Sequence, residues 1–216
     1  MKTQPYLAVD TVVFSIIKKK LSVLLIKIDG GPYKDKWAVP GGLVKEKESL
    51  DEAAVRVLNE KTSIKNIFLE QLYTCGDPDR DVRGRSVSVA YFALINNADK
   101  LELTTQDYYG GIEWFPVDKL PKMAFDHKQV IELAKKRLRA KLSYTNIAYS
   151  LLPVEFTLTQ LQRVYEIILG HGLDKRNFRK KIDSLGIVED LEKKQTDVTH
   201  RPAQLYKFKK RELEVF

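Results

Sequence analysis

A single cysteine, Cys75, stands in the 216 residues, so no disulfide framework can staple the chain and its stability must come from a packed core. That scarcity fits a reducing compartment, and Cys75 reads as a small core residue near a strand end. No apolar run is long enough to span a bilayer, which argues against helical membrane insertion. The opening MKTQPYLAVDTVVF lacks the basic, apolar and small-residue order of a secretory signal, so the expected location is the cytoplasm. No internal repeat or low-complexity tract is apparent. What remains is an ordinary globular composition, 44% hydrophobic and 31% charged, with enough length for one large or two small cored domains.

Acid is the scarcer sign. Net charge is +8, which favours anionic partners such as nucleic acid, nucleotides or membrane surfaces. The excess is +5 over residues 1–150 and +3 from residue 151 onward, so charge alone does not locate such a partner.

Strand-like runs span Leu7–Phe14, Leu21–Ile28, Ile67–Thr74, Ser86–Leu94 and Gly111–Phe115. The first predicted helix opens with the capping box Ser49-x-x-Glu52 and carries Ala53, Ala54, Val57 and Leu58 on one face. A second starts at Asp126 and runs to about Lys141. This alternation predicts an α/β (α+β) domain over residues 1–145. A linker is expected over 146–155. Residues 156–216 then follow another order. A helix starts at the capping box Thr157-x-x-Gln160 and stops at Gly170, a second runs from Asp174 to Gly186, and a hairpin closes the segment. The hairpin is read as a strand starting at Ile187–Val188, a charged turn EDLEKKQTDVTH and a strand AQLYKFK. Helix, turn, helix and hairpin is the order of a winged helix-turn-helix.

The stretch GGLVKEKESLDEAAVRVLNEKTSI, Gly41–Ile64, resembles the Nudix box, G-x5-E-x7-R-E-U-x-E-E-x-G-U with U apolar. Gly42, Glu48, Arg56, Leu58, Glu60 and Ile64 match in register, and WAVPGG before them also looks like Nudix hydrolases. The departures fall on the face that would hold a divalent metal. Val57 and Lys61 replace two glutamates, and Ser63 replaces a glycine. An ammonium at 61 repels a divalent ion and is available to phosphate. The expectation is a vestigial box without catalytic residues or metal, kept as a ligand pocket or as a plain structural helix. Candidate effector contacts are Lys61, the arginines Arg80, Arg83 and Arg85 of PDRDVRGR, Trp37 and His127. Each has a plainer reading. The arginine loop reads as a solvated hairpin, Trp37 as core, and Asp126 with His127 as a helix cap.

In the second segment, Lys175, Arg176, Asn177, Arg179 and Lys180 share a helix whose Phe178 and Ile182 can anchor its other side. Arg201 lies in the expected wing. The plainer reading is an amphipathic helix with a basic surface. With PDRDVRGRSVSVAY, AFDH, FTLTQLQRVYE, NFRKK and RPAQLY, almost the whole chain resembles the Nudix-related transcriptional regulators. The resemblance implies a Nudix-like α/β/α sandwich joined to a C-terminal winged helix. It further implies a homodimer on double-stranded DNA bearing an inverted repeat, and a small-molecule effector. That effector is ADP-ribose or a related NAD metabolite in one branch and arabinose in another. No cofactor is required, and magnesium matters only if hydrolysis persists. The competing classes are a metal-dependent ADP-ribose pyrophosphatase using Glu48, Glu52 and Glu60, and a noncatalytic nucleotide-binding module whose winged domain meets protein.

Overall fold

Two apolar runs separated by two turn residues make the founding hairpin, β1 (Tyr6–Ile17) and β2 (Lys20–Ile28), paired from Phe14↔Val23 to Ile17↔Lys20. The computed structural model describes residues 4–62, 68–96, 98, 109–196 and 201–216. Box positions Ser63 and Ile64, the first predicted residue of the third strand run, Ile67, and His200 lie outside the described residues.

Short strands β3 (Trp37–Ala38) and β4 (Gly41–Leu43) flank the hairpin, pairing with β2 and β1. Then come β5 (Phe68–Cys75), β6 (Ser86–Leu94) and β7 (Tyr109–Pro116). The order is β3-β2-β1-β6-β5, with β4 on β1 and β7 on β2, and the β1–β6 pair is parallel. Both of the first two helices fall where their patterns put them: α1 at Leu50–Thr62 and α2 at His127–Lys141.

Side chains alternate across a strand, so successive β1 residues face opposite layers. Val9 packs with Ala53, Ala54 and Val57 of α1, and Val13 with Leu58. Asp10, between them, instead meets His127 at the start of α2. The sheet is thus sandwiched by helices. The Ser49–Glu52 box is formed in both directions, with Ser49 N–H donating to Glu52 at 2.8 Å and Glu52 N–H to Ser49 Oγ at 3.2 Å.

The chain divides into two units, residues 1–136 and 137–216, and the division falls within α2. The expected linker at 146–155 is largely packed into the second unit. Ile147, Ala148, Leu151 and Leu152 are buried, and Asn146 donates to the carbonyls of Lys210 and Glu212. Its apolar residues need cover, which a free linker does not give.

In the second unit, α3 (Leu158–Leu169) has both halves of the Thr157–Gln160 box and a left-handed Gly170 at φ 83°. Helix α4 (Lys175–Leu185) is capped by Asp174, which accepts from Asn177 N–H at 2.8 Å, and stops at Gly186 at φ 60°. Phe178 and Ile182 are buried, with Phe178 edge-on to Tyr165 at 5.2 Å. Each such fully buried large side chain contributes roughly 1.5–3 kcal/mol. The hairpin is β8 (Val188–Lys194) with β9 (Gln204–Phe208). The charged stretch expected as a turn is therefore partly strand. Strand β8 is mostly exposed and carries no apolar alternation to announce it.

Candidate functional site

A cleft of about 570 Å³ opens in the first unit, lined by β1, β4, the β5–β6 loop and the start of α2. Its floor is a buried polar network. Asp10 accepts from Ser88 Oγ at 2.6 Å and from Arg80 Nη2 at 3.2 Å, and His127 Nε2 lies 3.4 Å away. Arg80 also donates to both carboxylate oxygens of Asp126, at 2.9 and 3.1 Å. The second nitrogen of His127, Nδ1, accepts from Val39 N–H at 3.1 Å, which leaves Nε2 to carry the proton facing Asp10. Burial raises the Asp10 carboxyl, but His127, Ser88 and Arg80 outweigh it and hold the group well below the ordinary carboxylate range. Gly41 is paired with Asp10 across β1–β4, and a Cβ there would fall 1.9 Å from Asp10 Oδ1. No larger residue fits without moving the network.

Above the floor, the β5–β6 loop is pinned by Val82 N–H, which donates to Tyr33 Oη at 3.0 Å. Tyr33 and Phe125 lie 4.2 Å apart, and the Arg83 guanidinium sits 5.1 Å over Phe125 while paired with Asp81 at 2.8 Å. Phe125 holds φ 52°, a left-handed backbone unusual for an aromatic residue. Such strain persists only where its surroundings enforce it.

The surviving box residues are tied to one another. Arg56 grips Glu48 with two hydrogen bonds of 2.6 and 2.7 Å and reaches Glu60 at 3.0 Å and the Leu43 carbonyl at 3.0 Å. Hydrogen bonding to Arg56 pulls the Glu48 carboxyl down to about 2. Lys61 donates from Nζ to the Gly41 carbonyl, inside the cleft. Val57 is buried and close enough to Gly42 that a Cβ there would meet its Cγ2 at 3.0 Å. A divalent cation, which the Nudix resemblance implies for this face, meets an ammonium and a valine in place of two carboxylates. No group of three metal-binding side chains converges among the described residues. The donor set does not fit a metal.

Of the effector residues expected from sequence, Lys61, Arg80, Arg83 and His127 line the cleft. Arg80 is committed to Asp10 and Asp126, so it shapes the floor rather than offering a free guanidinium. Arg85 instead donates to the carbonyls of Gly76 and Asp77 and braces its own loop. Trp37 packs edge-on against Phe115 at 4.6 Å, away from the cleft lining. The side chain of Asp126 serves Arg80, not the helix end. Sequence reasoning missed Asp10, Tyr33 and Phe125. A lone carboxylate in the apolar run LAVDTVVF was the available signal for Asp10.

In the second unit, Lys175, Arg176, Asn177, Arg179 and Lys180 are all exposed on α4, while Phe178 and Ile182 of the same helix are buried. Arg201 is exposed before β9. Of the acidic residues in the hairpin that follows, Glu189 is paired with Lys207 at 3.2 Å.

Comparison with known proteins follows these two units. Residues 7–134 match the NUDIX domain and residues 148–208 the NrtR DNA-binding winged helix domain. The chain is 41% identical, over 94% of its length and 82% of the relative's, to the ADPR responsive transcriptional repressor NtrR of Acinetobacter baylyi. It is similar to Shewanella oneidensis NrtR solved with a 27mer DNA, at 35% identity and TM-score 0.79, covering 94% of this chain and 93% of that one. The NUDIX domain of the same Shewanella protein, solved with ADP ribose, matches at 36% identity and TM-score 0.56 over 63% of this chain and 90% of that one.

Proposed function

This chain belongs to the NUDIX family and, within it, to the NrtR-type regulators that join a NUDIX domain to a winged helix, and on that premise we propose that it is a transcriptional repressor whose hold on DNA is set by ADP-ribose. The observation that carries the reading is Lys61 on the Gly41 carbonyl, in a cleft flanked by box carboxylates that Arg56 has already taken up. A fixed ammonium attracts a diphosphate as a metal does, but it does not generate a bound hydroxide as the attacking nucleophile. Binding is thereby kept and hydrolysis is not. The volume is within the range of small-molecule sites. Lys61 and Arg83 supply the charge for the diphosphate, Phe125 supplies ring surface, and no divalent ion is needed.

In the second unit, α4 enters the major groove with Lys175, Arg176 and Asn177 at its leading end. Arg179 and Lys180 reach bases or backbone, and Arg201 reaches the minor groove. One winged helix covers only a short half-site, so a two-fold homodimer reads an inverted repeat. The protein works in the cytoplasm, where the chromosome is. ADP-ribose acts by binding the DNA-competent and DNA-incompetent dimers unequally.

Genome-fragment selection followed by mobility shifts, with calorimetry of ADP-ribose in chelator, tests the reading. An enriched inverted repeat and chelator-resistant ADP-ribose binding are expected. No enrichment, or ADP-ribose turnover at about 1 per second or faster with magnesium, overturns it.

A further inference from the structure

A two-residue hairpin loop follows the twist of its strands best as a type I′ or II′ turn, and type I′ needs left-handed backbone at both central residues. Asn-Gly is the usual solution, because other side chains in that region are strained. The β1–β2 turn meets the requirement with two lysines, Lys18 at φ 47° and Lys19 at φ 63°, and Lys20 follows immediately. Turn chemistry is thus sacrificed where three consecutive lysines are exposed.

A fourth joins them. Pro116 of β7 pairs with Ser22, and Val117 N–H donates to the Leu21 carbonyl at 3.0 Å, so Lys119 lies at the same end of the sheet. All four lysines are exposed, and among the described residues no carboxylate pairs with any of them. Their neighbour Asp118 is directed to Lys135 of α2, at 3.7 Å. The tip presents no large exposed apolar side chain for a bilayer, since Leu21 is buried at 5% exposure. Its chemistry is that of compact, flexible point charges, suited to a phosphate backbone and not to reading bases.

We propose that the Lys18–Lys19–Lys20 tip, with Lys119, is a second DNA contact that holds backbone phosphates without reading sequence, outside the half-site taken by the winged helix. The proposal rests on the DNA-binding reading above. It assigns to the NUDIX unit a direct share of DNA affinity, in addition to its share in sensing.

The test uses the full chain with Lys18→Asn and Lys19→Gly, which suits the turn, and a second variant adding Lys20→Gln and Lys119→Gln. Melting temperature should hold or rise, and ADP-ribose calorimetry should be unchanged, because none of these residues lines the cleft. Operator affinity is then measured against salt on a fragment with long flanks. Each phosphate contact contributes a slope of about 0.9 in log affinity against log salt. Losing two contacts lowers the slope by about 1.8, so the parent's advantage shrinks about 12-fold between 50 and 200 mM salt. The loss should persist when the flanks are scrambled, because no bases are read. A parental slope in both folded variants overturns the proposal. A loss that depends on flank sequence also overturns it. Arg176→Ala serves as the separate control. If it weakens operator binding while the tip variants bind as the parent does, the winged-helix reading stands and the tip contact falls. If neither substitution matters, both fall.

Discussion

Replacing Lys61 with methionine keeps the stem and removes the charge that stands where the NUDIX box normally has a carboxylate. Two unit charges 4 Å apart interact by about 4 kcal/mol at an effective dielectric near 20. Lys61 is half-exposed, and its ammonium already bonds the Gly41 carbonyl, so only part of that survives. Charged hydrogen bonds net roughly 1.5–3 kcal/mol, and about 2 kcal/mol corresponds to a 30-fold weaker Kd. Titration calorimetry with ADP-ribose in chelator should read this loss, and a melting curve should show the fold intact. Lys61→Glu should weaken binding further in chelator and regain part of it with magnesium, because a carboxylate then faces the cleft beside Glu60. If Lys61→Met binds as tightly as the parent, the ammonium is not the diphosphate anchor. If the parent itself needs magnesium, the reasoning about the metal face is wrong.

Further outcomes follow from the floor, the helix ends and the recognition helix. Asp10→Asn should destabilise by about 3 kcal/mol, at the low end for breaking a buried pair, because Asp126 still holds Arg80. The folded carboxyl is depressed, so its stabilisation is present above the unfolded value near 3.9 and is lost as pH falls toward the folded one. Melts of parent and variant should therefore differ equally at pH 7 and pH 5 and begin to converge only below about pH 4. Thr157→Ala should cost about 1 kcal/mol by opening the capping box of α3, read by denaturant titration. Arg176→Ala and Arg201→Ala should each weaken operator binding by about 1–3 kcal/mol if they contact bases, with relaxed preference at one position per half-site.

Much of the architecture was legible because local signals agreed with the fold. Ser49–Glu52, Thr157–Gln160 and Asp174–Gly186 bracket helices whose apolar faces are the buried ones. The box departures at Val57 and Lys61 could be read by setting the stretch against the NUDIX pattern it resembles, and they fall together because helix positions three and four apart share a face. The cleft floor was harder. Arg80 and Asp126 are 46 residues apart and meet only because the β5–β6 loop and the start of α2 converge on Asp10. Nothing local distinguishes Arg80, committed to that floor, from Arg83, which faces the cleft, or from Arg85, which braces the loop. Trp37 was ambiguous for a related reason, because an aromatic residue before a glycine turn serves core and pocket equally well. Strand β8 was hidden by its charges, since it buries little of either face.

The claim that one molecule couples the NUDIX cleft to the winged helix is tested most directly by anisotropy of labelled operator, titrated with protein at several fixed ADP-ribose concentrations in chelator. The account predicts that ADP-ribose changes operator affinity by some factor, and that operator changes ADP-ribose affinity by the same factor, as linkage requires. Operator affinity that stays constant up to saturating ADP-ribose would contradict it.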